Sequence, residues 1–319
     1  MRYAPDNSDR GLFKRHGANP FLTDRDWPYP VNSVFNPGAT MFNGLYLLLV
    51  RVEDRRGFSH LCAARSANGL SDWEIDRLPT FEPLPKRCPE ETWGIEDPRI
   101  TWIEDLGLWV VAYTAYSEVG PLVCLATTRD FVNFQRLGAA MPPEDKDAAL
   151  FPAKFKGRYA ILHRPVPAIE GVGKHIWISF SPDLKYWGDH QVLLTARKGG
   201  WWDANKIGLS PPPLETSEGW LIMYHGVKDT VAGSIYRLGL ALLDREDPTR
   251  VLRRTDQWIF GPEEAYERSG DVGNVVFPCG WVLQGDELRL YYGGADSCLA
   301  VAIASLSEVL EFLKHCPQK

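Results

Sequence analysis

The chain has 319 residues, of which 45% are hydrophobic and 24% charged, the proportions of a soluble globular protein with a substantial core. Its net charge of −6 argues against a nucleic-acid-binding surface, so any anionic ligand must be met by a local cluster of cations. No run reaches the roughly 18 apolar residues of a membrane span, and the opening residues MRYAPDNSDRGLFKRHG contain no apolar signal core. The six cysteines show no CxxC spacing, so free thiols in a reducing cytoplasm are expected, with no metal site.

Short apolar runs then follow one another along the chain. They are "GLYLLLVRV", "LWVVAYTAY", "LVCLATT", "YAILHRP", "HIWISFS", "GWLIMYHGV", "LGLALLD", "GWVLQ", "LRLYYGGA" and "LAVAIAS". Each has strand length and is rich in β-branched or aromatic residues, and Gly and Pro punctuate the gaps. Only the C-terminal "SLSEVLEFLKHC" reads as a helix, with Ser305 or Ser307 as its N-cap. A faint repeat underlies the strands: "ARSANGLSDWEI", "ATTRDFVNFQRL" and "SFSPDLKYWGDHQVL" each run from a strand through Ser/Thr and an Asp-centred turn to an aromatic. Their aromatics, Trp73, Phe134 and Trp187, lie roughly 61 and 53 residues apart, about one four-stranded blade each. The unit divides residues 1–319 into a single all-β domain, a five-bladed β-propeller with a short C-terminal helix. A two-sheet jelly roll is the alternative, and it gives no reason for the recurring turn.

In a propeller the inner strands of all blades converge on one channel, so polar residues that interrupt apolar runs are candidates for a shared site. Asn36 precedes a Pro-Gly turn in "SVFNPGAT"; Arg51 and Asp54 follow four apolar residues in "LLLVRVED"; His163 and Arg164 close the strand "YAILHRP". Lys206 lies in "WWDANKIG", His225 in "LIMYHGV", Tyr236 in "GSIYRLG" and Asp296 in "LYYGGAD". Singly these are weak signals, since a lone strand histidine is usually a satisfied core residue. Together, cations interrupting several different blades imply an anion or carboxylates among them. "TWGIEDPRIT" adds Glu96 and Asp97, which as strand neighbours face opposite ways. Pro98 favours an extended Asp97, and a structural Glu96–Arg99 pair is expected beside it. The aromatic content (12%) suits both sugar clefts and β-cores, and the segments around Trp93, Trp201, Trp202 and "EEAYERSGD" are open to either reading.

"WGIEDPRIT" resembles the G-x-E-D-P-R signature of glycoside hydrolase family 130, the mannoside phosphorylases and related mannosidases. "VFNPGAT", "LLLVRVED", "FVNFQRLG", "LHRP", "KIG", "YHGV", "GDVGNVVFPCG" and "YYGGAD" extend the resemblance in order over essentially the whole chain. It implies a five-bladed propeller with Asp97 as general acid. It also implies a sugar-binding set of Asn36, Arg51 and Asp296, with Asp54 and His163 beside it, and a phosphate-binding set of Arg164, Lys206, His225 and Tyr236. The implied reaction is inverting phosphorolysis of a β-mannoside to α-mannose 1-phosphate, β-1,4 being the commonest linkage and β-1,2 and β-1,3 left open, with inorganic phosphate as co-substrate and no cofactor. The partners expected are the mannoside and phosphate, without nucleic acid or membrane; the oligomeric state is left open, a homo-oligomer included. Desolvation is expected to raise the Asp97 pKa so that it holds a proton at neutral pH. The rivals are an inverting β-mannosidase using water and a non-catalytic carbohydrate-binding propeller.

Overall fold

The computed structural model describes residues 11–167, 169, 173–231 and 233–318. Within them the chain forms five antiparallel sheets in succession. The first comprises Ser33–Phe42, Leu45–Glu53, Ser59–Ser66 and Glu74–Ile75, and the second Ile95–Ile103, Leu108–Ser117, Gly120–Thr128 and Phe134–Ala139. The third comprises Asp145–Phe155, Arg158–Pro165, Ile176–Ser181 and Gly188–Leu194. Tight hairpins join the inner pairs. Asn43 and Gly44 take φ of 50° and 78°, and Lys156 and Gly157 take 50° and 79°, the paired positive values that match the strand twist in two-residue turns.

The fourth sheet, Lys206–Leu209, Gly219–Thr230, Gly233–Leu243 and Val251–Arg254, has an interrupted inner strand. Pro211, Pro212 and Pro213 supply no N–H, and pairing resumes only at Leu214–Thr216. The fifth sheet runs Val276–Gln284, Glu287–Gly294, Cys298–Ser305. Its outer edge is filled from the other end of the chain: Lys14 and Arg15 pair with Ile303 and Ala302, and Leu22 and Thr23 with Leu299 and Cys298. This edge closes the ring.

Five apolar clusters lie between neighbouring sheets. Leu47 and Leu49 pack towards Ile95 and Val111 of the second sheet, while the intervening Leu48 and Val50 pack towards Tyr291 and Leu299 of the fifth. Both faces of the inner and middle strands are therefore largely buried, which explains the continuous apolar runs in place of alternation. The five-bladed propeller expected from the sequence is the fold observed. The C-terminal helix Leu306–Lys314 is capped by Ser305, whose Oγ accepts from Glu308 N at 3.2 Å.

The recurring turn has a physical basis. Asp130 Oδ1 accepts from the amides of Val132 and Asn133, and Asp183 Oδ1 from those of Lys185 and Tyr186. In the first blade the role belongs to Asn68 rather than Asp72, and Asp244 makes a fourth copy with Glu246 and Asp247. All six cysteines are free, and among the described residues no helix is long and apolar enough to cross a membrane.

Candidate active site

Polar side chains gather where the inner strands begin. Asn36, Asp97 and Asp147 lie near the starts of the first three inner strands, each at a register shift between inner and second strand. All three have left-handed backbones, with φ of 47°, 51° and 55°. Asn and Asp tolerate this region better than other non-glycine residues, and the bulge turns each side chain into the channel. The extended backbone expected of Asp97 ahead of Pro98 is thus not adopted; the bulge overrides the preference.

These residues line one cavity of about 340 Å³. The first, second and fifth blades contribute Asn36, Arg51, Asp97 and Asp296; the third and fourth contribute Arg164, Lys206, His225 and Tyr236. Asp97 is buried, and its Oδ1 accepts from Asn36 Nδ2 at 2.9 Å and Arg51 Nη1 at 3.1 Å. Arg51 is held in turn by Ser59 Oγ and by Glu96 Oε1, at 2.9 and 3.0 Å, and lies over the Phe35 ring. Opposite, Arg164 Nε donates to Asp147 Oδ2 at 2.7 Å, and Lys206 Nζ donates to the Tyr236 hydroxyl at 2.7 Å. His225 Nε2 is 3.4 Å from the same Asp147 oxygen. A methyl group at Gly208 would collide with Asp147 Oδ2 and the His225 ring, so "KIG" ends in the only residue that fits.

Burial alone would push the Asp97 carboxyl up, but the charges of Arg51, Lys146 and Arg99, with the Asn36 amide, hold it below its usual value. The raised pKa expected from desolvation is therefore reversed by these neighbours. Burial instead lifts Asp296 to about 7, Arg51 pulling the other way and Asp97 reinforcing the rise. Desolvation and the neighbouring Arg164 lower Lys206 to about 8. Desolvation lowers His225 to about 4, so it enters the site as a neutral imidazole rather than as a cation.

Other expectations are corrected. Arg99 does not pair with Glu96: its Nε and Nη2 donate to the carbonyls of Ser210 and Leu209, both at 2.9 Å, and Nη1 to Asp97 O at 3.0 Å. Glu96 faces Arg51 and, at 3.8 Å, Lys146. His163 does not line the cavity. Strand neighbours face opposite ways, so with Arg164 in the channel His163 turns into the blade, 2.6 Å from Asp145 Oδ2 and 2.8 Å from Ser179 Oγ. Asp54 also lies outside it, organising a turn by accepting from the amides of Arg56 and Phe58.

Four charged lining residues went unrecognised in the sequence: Lys146, Asp147, Lys174 and Glu144. The first two lie in "DKDAALFP", which occupies the same place in its blade as "VFNPGATM" and "IEDPRITW" do in theirs. Aligning the blade starts would have found them. Lys174 is brought in by a parallel bridge to Lys206, with Ile207 N donating to its carbonyl at 3.0 Å.

Asp296 gives a testable trade-off. Its folded pKa lies above the unfolded value, so stability falls as pH rises from about 4 to 7 and the full penalty is present above 7. Asp296→Asn should therefore stabilise the protein by up to about 4 kcal/mol at pH 8 and leave it nearly unchanged at pH 4. Thermal unfolding at the two pH values measures this; equal Tm differences would refute it.

The family profile described as beta-1,4-mannooligosaccharide phosphorylase matches residues 15–315. A 1,2-beta-oligomannan phosphorylase of Thermoanaerobacter sp. (strain X514) is 36% identical, covering 87% of this chain and 91% of the relative. A beta-1,4-mannooligosaccharide phosphorylase of Ruminococcus albus is 35% identical, covering 94% and 90%. The solved beta-1,2-mannobiose phosphorylase from Listeria innocua, in complex with beta-1,2-mannobiose, superposes with a TM-score of 0.86 at 34% identity, covering 95% of this chain and 99% of that one. From its channel-lining motifs to its five blades, the chain belongs to glycoside hydrolase family 130.

Proposed function

We propose that the protein is an inverting β-mannoside phosphorylase. It releases α-D-mannose 1-phosphate and a shortened sugar from β-1,4-linked mannosides with mannose, glucose or N-acetylglucosamine as acceptor. The observation that carries this reading is the meeting of Asp97 with Arg164, Lys206, His225 and Tyr236 around one cavity. The whole chain is read as one catalytic unit, cytoplasmic and without a cofactor.

An inverting hydrolase needs a second carboxylate free to activate water. The buried carboxylate on the far side, Asp147, is already paired with Arg164. Phosphate is itself an anionic nucleophile, and the site's task is to collect and aim it. Arg164, Lys174 and Lys206 outnumber the lining acids on that side, Asp147 and Glu144, and Lys146 is shared between Asp147 and Glu96. Asn36, Arg51 and Asp296 then hold the mannosyl unit, and Asp97 supplies the leaving-group proton through a sugar hydroxyl. A phosphate dianion among the cations offsets their pull on Asp97 and raises its proton affinity, so the acid is armed when its co-substrate is present.

Product analysis decides the reaction: β-1,4-mannobiose should yield mannose 1-phosphate only when phosphate is present, and free mannose in both arms would point to the hydrolase. Offering α-mannose 1-phosphate to a panel of acceptors then fixes the linkage, for which the relatives' names include both β-1,2 and β-1,4. Lys206→Ala should raise the KM for phosphate about 10- to 100-fold, as loss of a charge-assisted contact does, with far less effect on the KM for mannoside. Lys174→Ala should do the same more weakly. Equal effects on both constants would reject the assignment.

A further inference from the structure

The hairpin that carries Tyr236 separates two cavities. Its register sets Val227 opposite Tyr236, Lys228 opposite Ile235 and Gly226 opposite Arg237. Successive strand residues face opposite sides, so Tyr236 looks into the reaction cavity while Arg237 and Lys228 look into a second one of about 430 Å³. Trp201 stands in the wall of this second cavity and is 43% exposed. Arg197 covers one face of its indole, 4.4 Å from the ring centroid. That guanidinium is fixed by Asp203, Asp256 and the Thr255 carbonyl at 3.0, 2.9 and 2.8 Å. Arg197 lines no part of the cavity, so the indole presents its other face there: a rigid apolar platform of the kind that takes the C–H face of a pyranose.

The charge around the platform is one-sided. Arg237 lies 4.1 Å over the Trp258 ring and, among the described residues, has no carboxylate in ion-pair reach. Desolvation depresses its pKa with no acid to offset it. Lys198 and Lys228 add two more cations, and the lining acid, Asp256, is engaged by Arg197. A half-desolvated, unpaired guanidinium beside an open aromatic face suits a ligand with an anionic group attached to a ring.

We propose that this second cavity binds a hexose phosphate, its pyranose on Trp201 and its phosphate between Arg237 and Lys198. That the ligand is the α-mannose 1-phosphate formed next door rests on the proposed reaction; the cavity's chemistry does not.

Calorimetric titration of the full chain with α-mannose 1-phosphate tests it. The expected result is two binding events per chain in the wild type. Arg237→Ala and Trp201→Ala should weaken one event about tenfold or more, Trp201→Phe should retain it, and Lys206→Ala should weaken only the other. Phosphorolysis by Arg237→Ala at low product should match the wild type. A single event insensitive to Arg237→Ala would overturn the inference while leaving the phosphorylase reading intact. A second event filled equally tightly by neutral β-mannobiose would overturn the anion assignment. An Arg237-dependent event beside one that Lys206→Ala leaves untouched would uphold the inference and sink the phosphate site.

Discussion

Asp97→Asn should lower turnover roughly 10³-fold or more while leaving phosphate binding measurable. The amide keeps the shape and can still accept from Asn36 and Arg51, so the backbone bulge and the neighbouring blades should survive. What disappears is the ability to carry a proton to the departing sugar. Arg51 keeps Glu96 as a partner at 3.0 Å, which limits the structural cost of losing the negative charge. Steady-state rates with β-mannobiose and calorimetry with inorganic phosphate separate the two effects. Retained turnover would remove Asp97 from the chemistry; lost phosphate affinity would show that the substitution had disturbed the cationic side.

The largest effect on stability is expected at Asp147. Its carboxylate is fully buried between Arg164, His225 and Arg99, and the positive charge of Arg164 leads the groups that hold its pKa well below the usual carboxylate range against the opposing pull of burial. Asp147→Asn preserves the volume but deprives the buried Arg164 of its hydrogen-bonded counter-ion and takes a negative charge from 3.6 Å of Arg99, a change that costs about 3–5 kcal/mol when one partner of a buried pair is removed. For a chain of this size that is a fall in Tm of about 5–15 °C. Added inorganic phosphate should return part of the loss, because an anion in the cavity partly replaces the missing charge. A variant that melts with the wild type would show that Arg164 and Arg99 need no internal counter-ion.

The blade count was legible because its signal is local: an Asp or Asn that organises a turn announces itself within a few residues, as Asp130 and Asp183 do. Asp97, Arg164, Lys206, His225 and Tyr236 were legible as residues of a shared cavity because each breaks an apolar run with a charge or a ring. His163 was drawn in by its neighbour Arg164, and only the two-sided geometry of a strand separates them. Lys146 and Asp147 were hidden in a run of alternating charges that reads as a solvated strand start; burial, which no local pattern reports, turns it into a site. The depressed pKa of Asp97 was illegible for the same reason: it depends on Arg51 and Lys146, which the fold brings in from two other blades. Pairing of Lys14 and Arg15 with Ile303 and Ala302 had no sequence signal, since two residues carry no periodicity.

That last pairing bears on how the molecule is born. Lys14 is made long before the strand that must receive it, Cys298–Ser305. Nascent early blades can zip up their local hairpins, but the circle stays unlatched until that strand has been made, with the slow search that long-range pairing entails. Because Asp296 joins Asn36 and Arg51 only across that seam, a ribosome-stalled or C-terminally clipped chain should be inert however many of its sheets have already formed.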